Sequence, residues 1–163
     1  MVLPYSGAVL YRPYAPEDFG PLYAIEEMCF QPQLRFDRRL MRHLVYRPNA
    51  ATWIAEGEGR MAGFAIVEWT TGREDVTAYI QTIEVAPEAR GRGVGRHLLR
   101  RVEGAAQAAG AGLIWLHVDP GNAGAIRLYE AQGYRCEGRE ENYYPLGQAA
   151  LIYAKQPDTE TAS

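Results

Sequence analysis

The amino-acid sequence predicts an α/β fold of the α+β kind: one mixed, mostly antiparallel sheet of about seven strands with helices on both faces. Short β-prone segments alternate with amphipathic helical segments in the order β-α-α-β-β-β-α-β-α-β-β, which is typical of a layered sheet. The chain has 163 residues, 47% of them hydrophobic and 23% charged, an ordinary composition for one core. We therefore expect a single domain over 1–155 and a flexible polar tail over 156–163.

The first strand is expected over 8–14, and Pro16 followed by two acids predicts the start of a helix over 16–29. Apolar residues recur at three- and four-residue spacing along this helix and predict its buried face. They are Phe19, Leu22, Tyr23, Ile25, Met28 and Cys29.

Asp37 is a good N-cap for a second helix, which Pro48 and Asn49 end. Strands over 51–56 and 60–68 follow, joined by a glycine-bearing turn that is typical of a hairpin.

The second half of the chain predicts two strand and helix pairs followed by two strands. Its expected elements are a strand over 76–85, a helix over 93–109, an apolar and therefore central strand over 112–118, a helix from the cap Asn122 to Gly133, and strands over 134–143 and 148–155.

The formal net charge of −3 gives no general attraction to nucleic acid or to anionic lipid. No apolar run is long enough to cross a bilayer, and no export signal is visible. Cys29 and Cys136 match neither a metal-binding spacing nor a disulfide framework. We expect a cytoplasmic monomer or weak homodimer that binds no metal, nucleic acid or membrane.

A glycine-rich stretch, VAPEARGRGVGRHLL, links the fourth strand to the third helix. Glycines at 91, 93 and 95 let a phosphate approach backbone N–H groups at the positive end of the helix dipole. Arginines at 90, 92 and 96 add positive charge. The sequence thus predicts an anion site, with a simple tight turn as the alternative. It is not a P-loop, because no Gly-Lys-Ser/Thr follows, and it lacks the third glycine of a dinucleotide fingerprint.

The pattern Arg90-x-x-Gly93-x-Gly95 after Val85-x-Pro87 resembles the acyl-CoA pyrophosphate loop of the GCN5-related N-acetyltransferase superfamily, and the order of elements is similar over 8–155. The resemblance implies acetyl-CoA as co-substrate. It also implies that the loop residues and the preceding strand bind this donor, with backbone N–H groups of the strand polarising the thioester carbonyl. The implied contacts are Ile83, Glu84, Val85, Arg90, Gly91, Arg92, Gly93, Val94, Gly95 and Arg96.

A second segment, NAGAIRLYEAQGY, resembles the last crossover helix of that superfamily. The resemblance implies that Asn122 binds the pantetheine arm and that Tyr129 protonates the departing thiolate. Read without the resemblance, Asn122 is a helix cap and Tyr129 a core residue.

The segment NYYP near the C-terminus resembles the end of the ribosomal-protein alanine acetyltransferases and of the catalytic subunits that acetylate protein N-termini. This implies that Tyr143 and Tyr144 hold the backbone of an incoming peptide, and that Phe30 and Pro32 form a wall of the acceptor pocket. The alternative for the tyrosines is pairing across a hairpin. The expected acceptor is the N-terminal α-amine of a protein or peptide, with ribosomal proteins among the candidates.

His117 stands where the bacterial ribosomal-alanine enzymes carry a glutamate base, and together with Tyr79 it resembles the pair of one eukaryotic and archaeal group of α-amine acetyltransferases. We assign His117 as the base, because a histidine is strong enough to take the proton of an α-amine directly or through one water, and we expect Tyr79 to position that water. Glu84 is the competing base. Regular alternation directs Tyr79 and Glu84 to opposite faces, whereas a bulge between them would place both on one face, and the sequence leaves this open.

Other readings of the same residues remain. The fold also serves acetyltransferases of small amines, antibiotics and lysine side chains. A non-catalytic module that binds acyl-CoA is an alternative from a different class.

Overall fold

The computed structural model describes residues 7–157. Residues 1–6 and most of the predicted flexible tail, 158–163, lie outside the described part. The elements are β1 (Leu10–Pro13), α1 (Phe19–Cys29), α2 (Arg38–Tyr46), β2 (Ala50–Gly57), β3 (Arg60–Trp69), β4 (Thr77–Val85), α3 (Val94–Ala108), β5 (Leu113–Val118), α4 (Ala123–Ala131), β6 (Arg135–Glu140) and β7 (Ala150–Lys155). Short 3-10 turns precede α1 and α3 at Pro16–Asp18 and Pro87–Ala89.

The strands form one seven-stranded mixed sheet in the order β1-β2-β3-β4-β5-β7-β6. Its only parallel pair, within the described chain, is β4 with β5. The predicted fold class and order of elements are therefore confirmed. β5 lies inside the sheet, as its continuous apolar character predicts.

Local signals in the sequence set most element boundaries. The Asp37 side chain accepts a hydrogen bond from the Leu40 amide at 2.7 Å and caps α2, and Asn122 does the same for α4 through the Ala125 amide at 3.1 Å. The β2–β3 turn has positive φ angles at Glu58 and Gly59, the conformation of a type I′ hairpin.

Two sequence expectations need correction. On α1, Met28 is 55% exposed whereas Glu26 is 1% exposed, because position 26 follows Leu22 and Tyr23 by one helical turn and position 28 does not. The strand expected over 134–143 ends at Glu140, since Asn142 has a positive φ of 54° that breaks the extended backbone.

Helices cover opposite faces of the sheet around the end of β4. Glu84 pairs with Phe64 and faces α1, where it meets Glu26. The neighbouring pair, Gly63 with Val85, faces α3, and a Cβ added at Gly63 would lie 3.3 Å from the Leu98 side chain. Side chains alternate between faces along a strand, so α1 and α3 lie on opposite sides. No helix among residues 7–157 combines the length and apolarity needed to span a bilayer.

Candidate active site

A cleft of about 490 Å³ opens where β4 ends and α3 begins. Its lining brings together most of the residues predicted to bind the donor, drawn from β4, the glycine-rich loop and α4. They are Ile83, Glu84, Val85, Arg90, Gly91, Gly93, Val94, Gly95, Asn122 and Tyr129.

The glycine-rich loop shapes the floor of this cleft. Gly91 and Gly93 have φ angles of +79° and +80°, the left-handed conformation that residues with a Cβ rarely adopt. Gly93 is the N-cap of α3 and offers no side chain to cap it. The first N–H groups of α3 therefore point outward at the positive end of a 15-residue helix. This arrangement fits the two phosphates of coenzyme A.

Of the residues predicted to bind the donor or to form the wall of the acceptor pocket, three do not line the cleft. The Arg92 guanidinium donates a hydrogen bond to the Gly7 carbonyl at 3.1 Å. Arg96 folds back toward its own loop, with Nη2 3.4 Å from where a Cβ on Gly93 would stand. Pro32 is exposed in the α1–α2 loop, whereas Phe30 from the same loop does line the cleft.

Strands β4 and β5 separate beside the cleft. They pair only over Thr77–Tyr79 and Leu113–Trp115. Beyond these residues, the edge of β4 that faces β5 is open, and Ile83, Glu84 and Val85 lie along the cleft. Backbone N–H groups at such an opening can donate to a carbonyl oxygen.

A bulge in β4 decides which side chains face this opening. Ile66 pairs with Thr82 but Val67 pairs with Ile80, so Gln81 is an extra residue. Glu84 pairs with Phe64 and Tyr79 pairs with Glu68. Directly paired residues share a face, and the bulge thus places Tyr79 and Glu84 on the same face of the sheet.

Tyr79 and His117 meet in a cluster of aromatic rings. The Tyr79 hydroxyl lies 2.8 Å from Nδ1 of His117 and 3.1 Å from the Tyr143 hydroxyl. Tyr143 stacks on the His117 ring at 4.0 Å between centroids, and Trp115 contacts both Tyr79 and His117. The His117 side chain is only 8% exposed, so Tyr79 and Tyr143 separate it from solvent.

The β6–β7 loop carries Tyr143 over the histidine. Asn142, with its positive φ, reverses the chain just before Tyr143. The Tyr144 amide donates to the Gln148 carbonyl at 3.0 Å, and the Gly147 amide donates to the Tyr144 carbonyl at 2.8 Å. This closed turn fixes both tyrosines beside the site.

Tyr144 connects the aromatic cluster with the donor cleft. Its ring lies 4.9 Å from that of Tyr143, and it is near enough to Tyr129 to contribute to that residue's raised pKa. Burial is the main cause of the raised pKa of Tyr129. Tyr144 thus lies between Tyr143 of the cluster and Tyr129 of the cleft lining.

Ionisable groups in the cluster are held neutral by burial. Burial raises the pKa of Tyr79, and the hydrogen bond with Tyr143 adds to this effect. Burial lowers the pKa of His117, while the Glu140 carboxylate opposes that shift. At neutral pH, Tyr79 is a phenol and His117 a neutral imidazole.

Glu84 is withdrawn into a buried carboxyl pair. Burial and the neighbouring Glu26 raise its pKa to about 10, and burial also raises the pKa of Glu26. Glu84 accepts from the Thr82 hydroxyl at 2.7 Å and Glu26 from the Phe36 amide at 3.0 Å. The second oxygen of each finds no N–H or O–H donor among residues 7–157. A proton shared between the two carboxyls satisfies both oxygens.

Sequence reasoning missed three residues that shape this site: Glu26, Gln81 and Glu140. Glu26 had a visible signal, an acid in the apolar stripe of α1. Gln81 and Glu140 had none, because a bulge and a contact between β6 and β5 appear only when strands are paired.

The fold, the uncapped glycine start of α3 and the separated strands together define an acyl-CoA-binding class of protein. Residues 17–134 match the model of the Acetyltransferase (GNAT) family, and the chain belongs to that family. This confirms the family resemblance found in the sequence.

Individual relatives differ in what they acetylate. The chain is 39% identical over 97 residues to the streptothricin acetyltransferase of Streptomyces lavendulae, covering 59% of this chain and 50% of that protein. It is 36% identical over 100 residues to the [ribosomal protein bS18]-alanine N-acetyltransferase of Salmonella typhimurium, covering 60% of this chain and 65% of that protein. The chain thus spans less than two thirds of either relative.

A solved structure shares the fold over almost its whole length. Arabidopsis thaliana NAA60 in complex with acetyl-CoA superposes with a TM-score of 0.81 at 21% identity, covering 91% of this chain and 98% of that one.

Proposed function

We propose that the protein transfers an acetyl group from acetyl-CoA directly to the N-terminal α-amine of a protein or peptide. The observation that carries this proposal is the 2.8 Å contact between Tyr79 and Nδ1 of His117. This contact lies on the face of the sheet that also carries Glu84 of the cleft lining, beside two tyrosines able to hold a peptide backbone.

At the donor end of the site, backbone N–H groups rather than charged side chains make most of the contacts to acetyl-CoA. Acetyl-CoA supplies an activated acyl group as a thioester. The amides at the start of α3 and the Gly91–Gly95 loop hold its phosphates. Asn122, which lines the cleft, binds the pantetheine arm. Backbone N–H groups of β4 near Ile83–Val85 polarise the carbonyl.

The base that we assign is His117. Because Tyr79 and Tyr143 cover its ring, the proton of the attacking amine reaches Nδ1 through the Tyr79 hydroxyl, which accepts one proton and donates another. The amine nitrogen forms the new bond to the acyl carbon as the bond to sulfur breaks. A proton already occupies the Glu26–Glu84 pair, so Glu84 is a poor base at neutral pH.

The strength of this base suits an α-amine. An α-amine has a pKa near 8 and a lysine side chain near 10.4, so deprotonating lysine at neutral pH costs roughly 3.3 kcal/mol more. A buried neutral imidazole is a mild base. This favours an N-terminal acceptor over lysine. The alanine N-acetyltransferase relative from Salmonella supports the same choice.

A small-molecule amine is the second candidate, favoured by the 39% identity to a streptothricin acetyltransferase. An acyl-CoA-binding module without catalysis is the third.

The test is acetyl transfer to matched acceptors, followed by mass spectrometry. One peptide begins with a free alanine and lacks lysine, a second is N-terminally blocked and contains lysine, and streptothricin is the third acceptor. We expect the free N-terminus to be acetylated at the highest kcat/KM. Turnover only of the blocked peptide or of streptothricin would overturn the choice of acceptor. Tight binding of CoA without turnover of any amine would indicate the module.

A further inference from the structure

The second ring nitrogen of His117, Nε2, lies beside Glu140, a residue with no role in the proton transfer proposed above. Nδ1 faces Tyr79, whereas Nε2 is buried and makes no hydrogen bond of acceptable geometry among the described residues. One carboxylate oxygen, Oε2 of Glu140, nevertheless lies 3.1 Å from it. The Glu140 side chain is 50% exposed, so a small rotation is free to complete the bond.

A neutral imidazole carries one proton, and the partners of its nitrogens decide where. A carboxylate at Nε2 can only accept, so it favours the tautomer with the proton on Nε2. Nδ1 then keeps its lone pair toward Tyr79, as the relay requires. Without that carboxylate, a proton on Nε2 would be buried without a partner, which favours its transfer to Nδ1.

The groups around the ring leave Glu140 as the charged partner. Tyr79 faces His117 from β4, Tyr143 from the β6–β7 loop, and Trp115 from its own strand. On β7 the residue paired with His117 is Ile152. Tyr79 and Tyr143 are phenols, whereas Glu140 is an acid on β6.

We propose that Glu140 is a positioning residue that holds the proton of neutral His117 on Nε2 and stabilises the imidazolium formed when Nδ1 accepts a proton. This inference rests on the proposed function, since it assigns a role within the same proton relay. The next residue supplies a matched control. Glu141 ends the same segment, but its carboxylate accepts from Arg139 at 2.7 Å and is 68% exposed.

The first test compares the pH dependence of kcat/KM for wild type, Glu140→Gln and Glu141→Gln, with the best amine acceptor found. We expect E140Q to lower kcat/KM at neutral pH by about 10-fold. This factor is at the low end of the range for loss of a charge-assisted hydrogen bond, because Glu140 is half-exposed. Its acid limb should move to lower pH, since the imidazolium loses its counter-charge. E141Q should match wild type. A profile for E140Q that overlies the wild-type profile would overturn the proposal.

A second test needs no substrate and so separates this proposal from the choice of acceptor. The full chain has 3 histidines, so nitrogen-15 NMR of wild type, Glu140→Ala and a His117→Ala reference assigns the His117 ring. We expect the Nε2-protonated tautomer in wild type and an increased Nδ1-protonated fraction in E140A. An unchanged tautomer in E140A would refute the positioning role even if N-terminal acetylation is established.

Discussion

Glu84 on β4 and His117 on β5 lie on the same face of the sheet, and burial makes both of these groups neutral. In the Glu26–Glu84 pair, burial raises the pKa of Glu84 to about 10. In the aromatic cluster, burial lowers the pKa of His117. The consequences are opposite, because a neutral carboxyl has lost its basic form while a neutral imidazole is a base. Under the proposed mechanism, burial therefore favours histidine over glutamate as the group that removes the proton.

The largest expected effect tests this comparison directly. His117→Ala should lower kcat/KM for the peptide acceptor by about 10²- to 10⁴-fold, the range for loss of a general base. Glu84→Gln should keep kcat/KM near the wild-type value, because the amide replaces an already protonated carboxyl and can still donate to Glu26. Steady-state kinetics give both values.

Binding of acetyl-CoA, measured by calorimetry, is the control for both variants. It should be unchanged in each, since neither side chain holds the phosphates. If E84Q lost activity to the extent expected for H117A while H117A stayed active, Glu84 rather than His117 would be the general base.

The next effect concerns stability and the carboxyl pair alone. Glu84 has a folded pKa of about 10, above its unfolded value near 4.5. Its contribution to stability is therefore fully present below pH 4.5 and is lost as the pH rises toward 10. One titrating group changes the free energy of unfolding by at most about 1.4 kcal/mol per pH unit. Glu84→Gln cannot titrate and should not show this loss.

Urea unfolding of wild type, Glu84→Gln and the surface control Glu141→Gln at pH 5 and pH 8 measures this difference. We expect the stability of E84Q relative to wild type to rise between these pH values by up to about 4 kcal/mol. E141Q should stay parallel to wild type. Parallel curves for E84Q would mean that Glu84 is ionised in the folded protein and again a candidate base.

These two regions also differ in how far the sequence could predict them. The order of elements and the caps at Asp37 and Asn122 follow from local patterns, which neighbouring residues determine. The glycine-rich start of α3 is equally local, because Gly91 and Gly93 adopt the positive φ angles that their residue type favours.

The protonation of the site depends on contacts between distant parts of the chain. The sequence from Tyr79 to Glu84 is typical of a regular strand. The bulge at Gln81 becomes visible only in the pairing of β4 with β3. Burial and the neighbouring Glu26 make Glu84 neutral, and His117 meets Glu140; both partners come from other elements. Sequence patterns identify Glu84 and His117 but not their partners, because such patterns carry no information on contacts between distant elements.

The smallest expected effect on kcat comes from the hydroxyl of Tyr129, which lines the donor cleft. Burial raises the pKa of Tyr129 above that of a free phenol near 10, whereas a thiol titrates near 8.5. Full proton transfer from Tyr129 to a departing thiolate is therefore uphill, and we propose that its hydroxyl stabilises the thiolate by a hydrogen bond. Tyr129→Phe should lower kcat by about 2- to 10-fold, the value of one neutral hydrogen bond, and leave CoA affinity unchanged.

Tyr134→Phe is the matched control for Tyr129→Phe. Its ring lies 5.7 Å from that of Tyr129, but its hydroxyl donates to Glu103 at 2.8 Å, away from the cleft. We expect Y134F to keep the wild-type kcat, so that a loss confined to Y129F reports the hydroxyl in the cleft rather than altered packing of the two rings. A full rate in Y129F would remove Tyr129 from the reaction, and a loss of 10²-fold or more would restore a true proton donor.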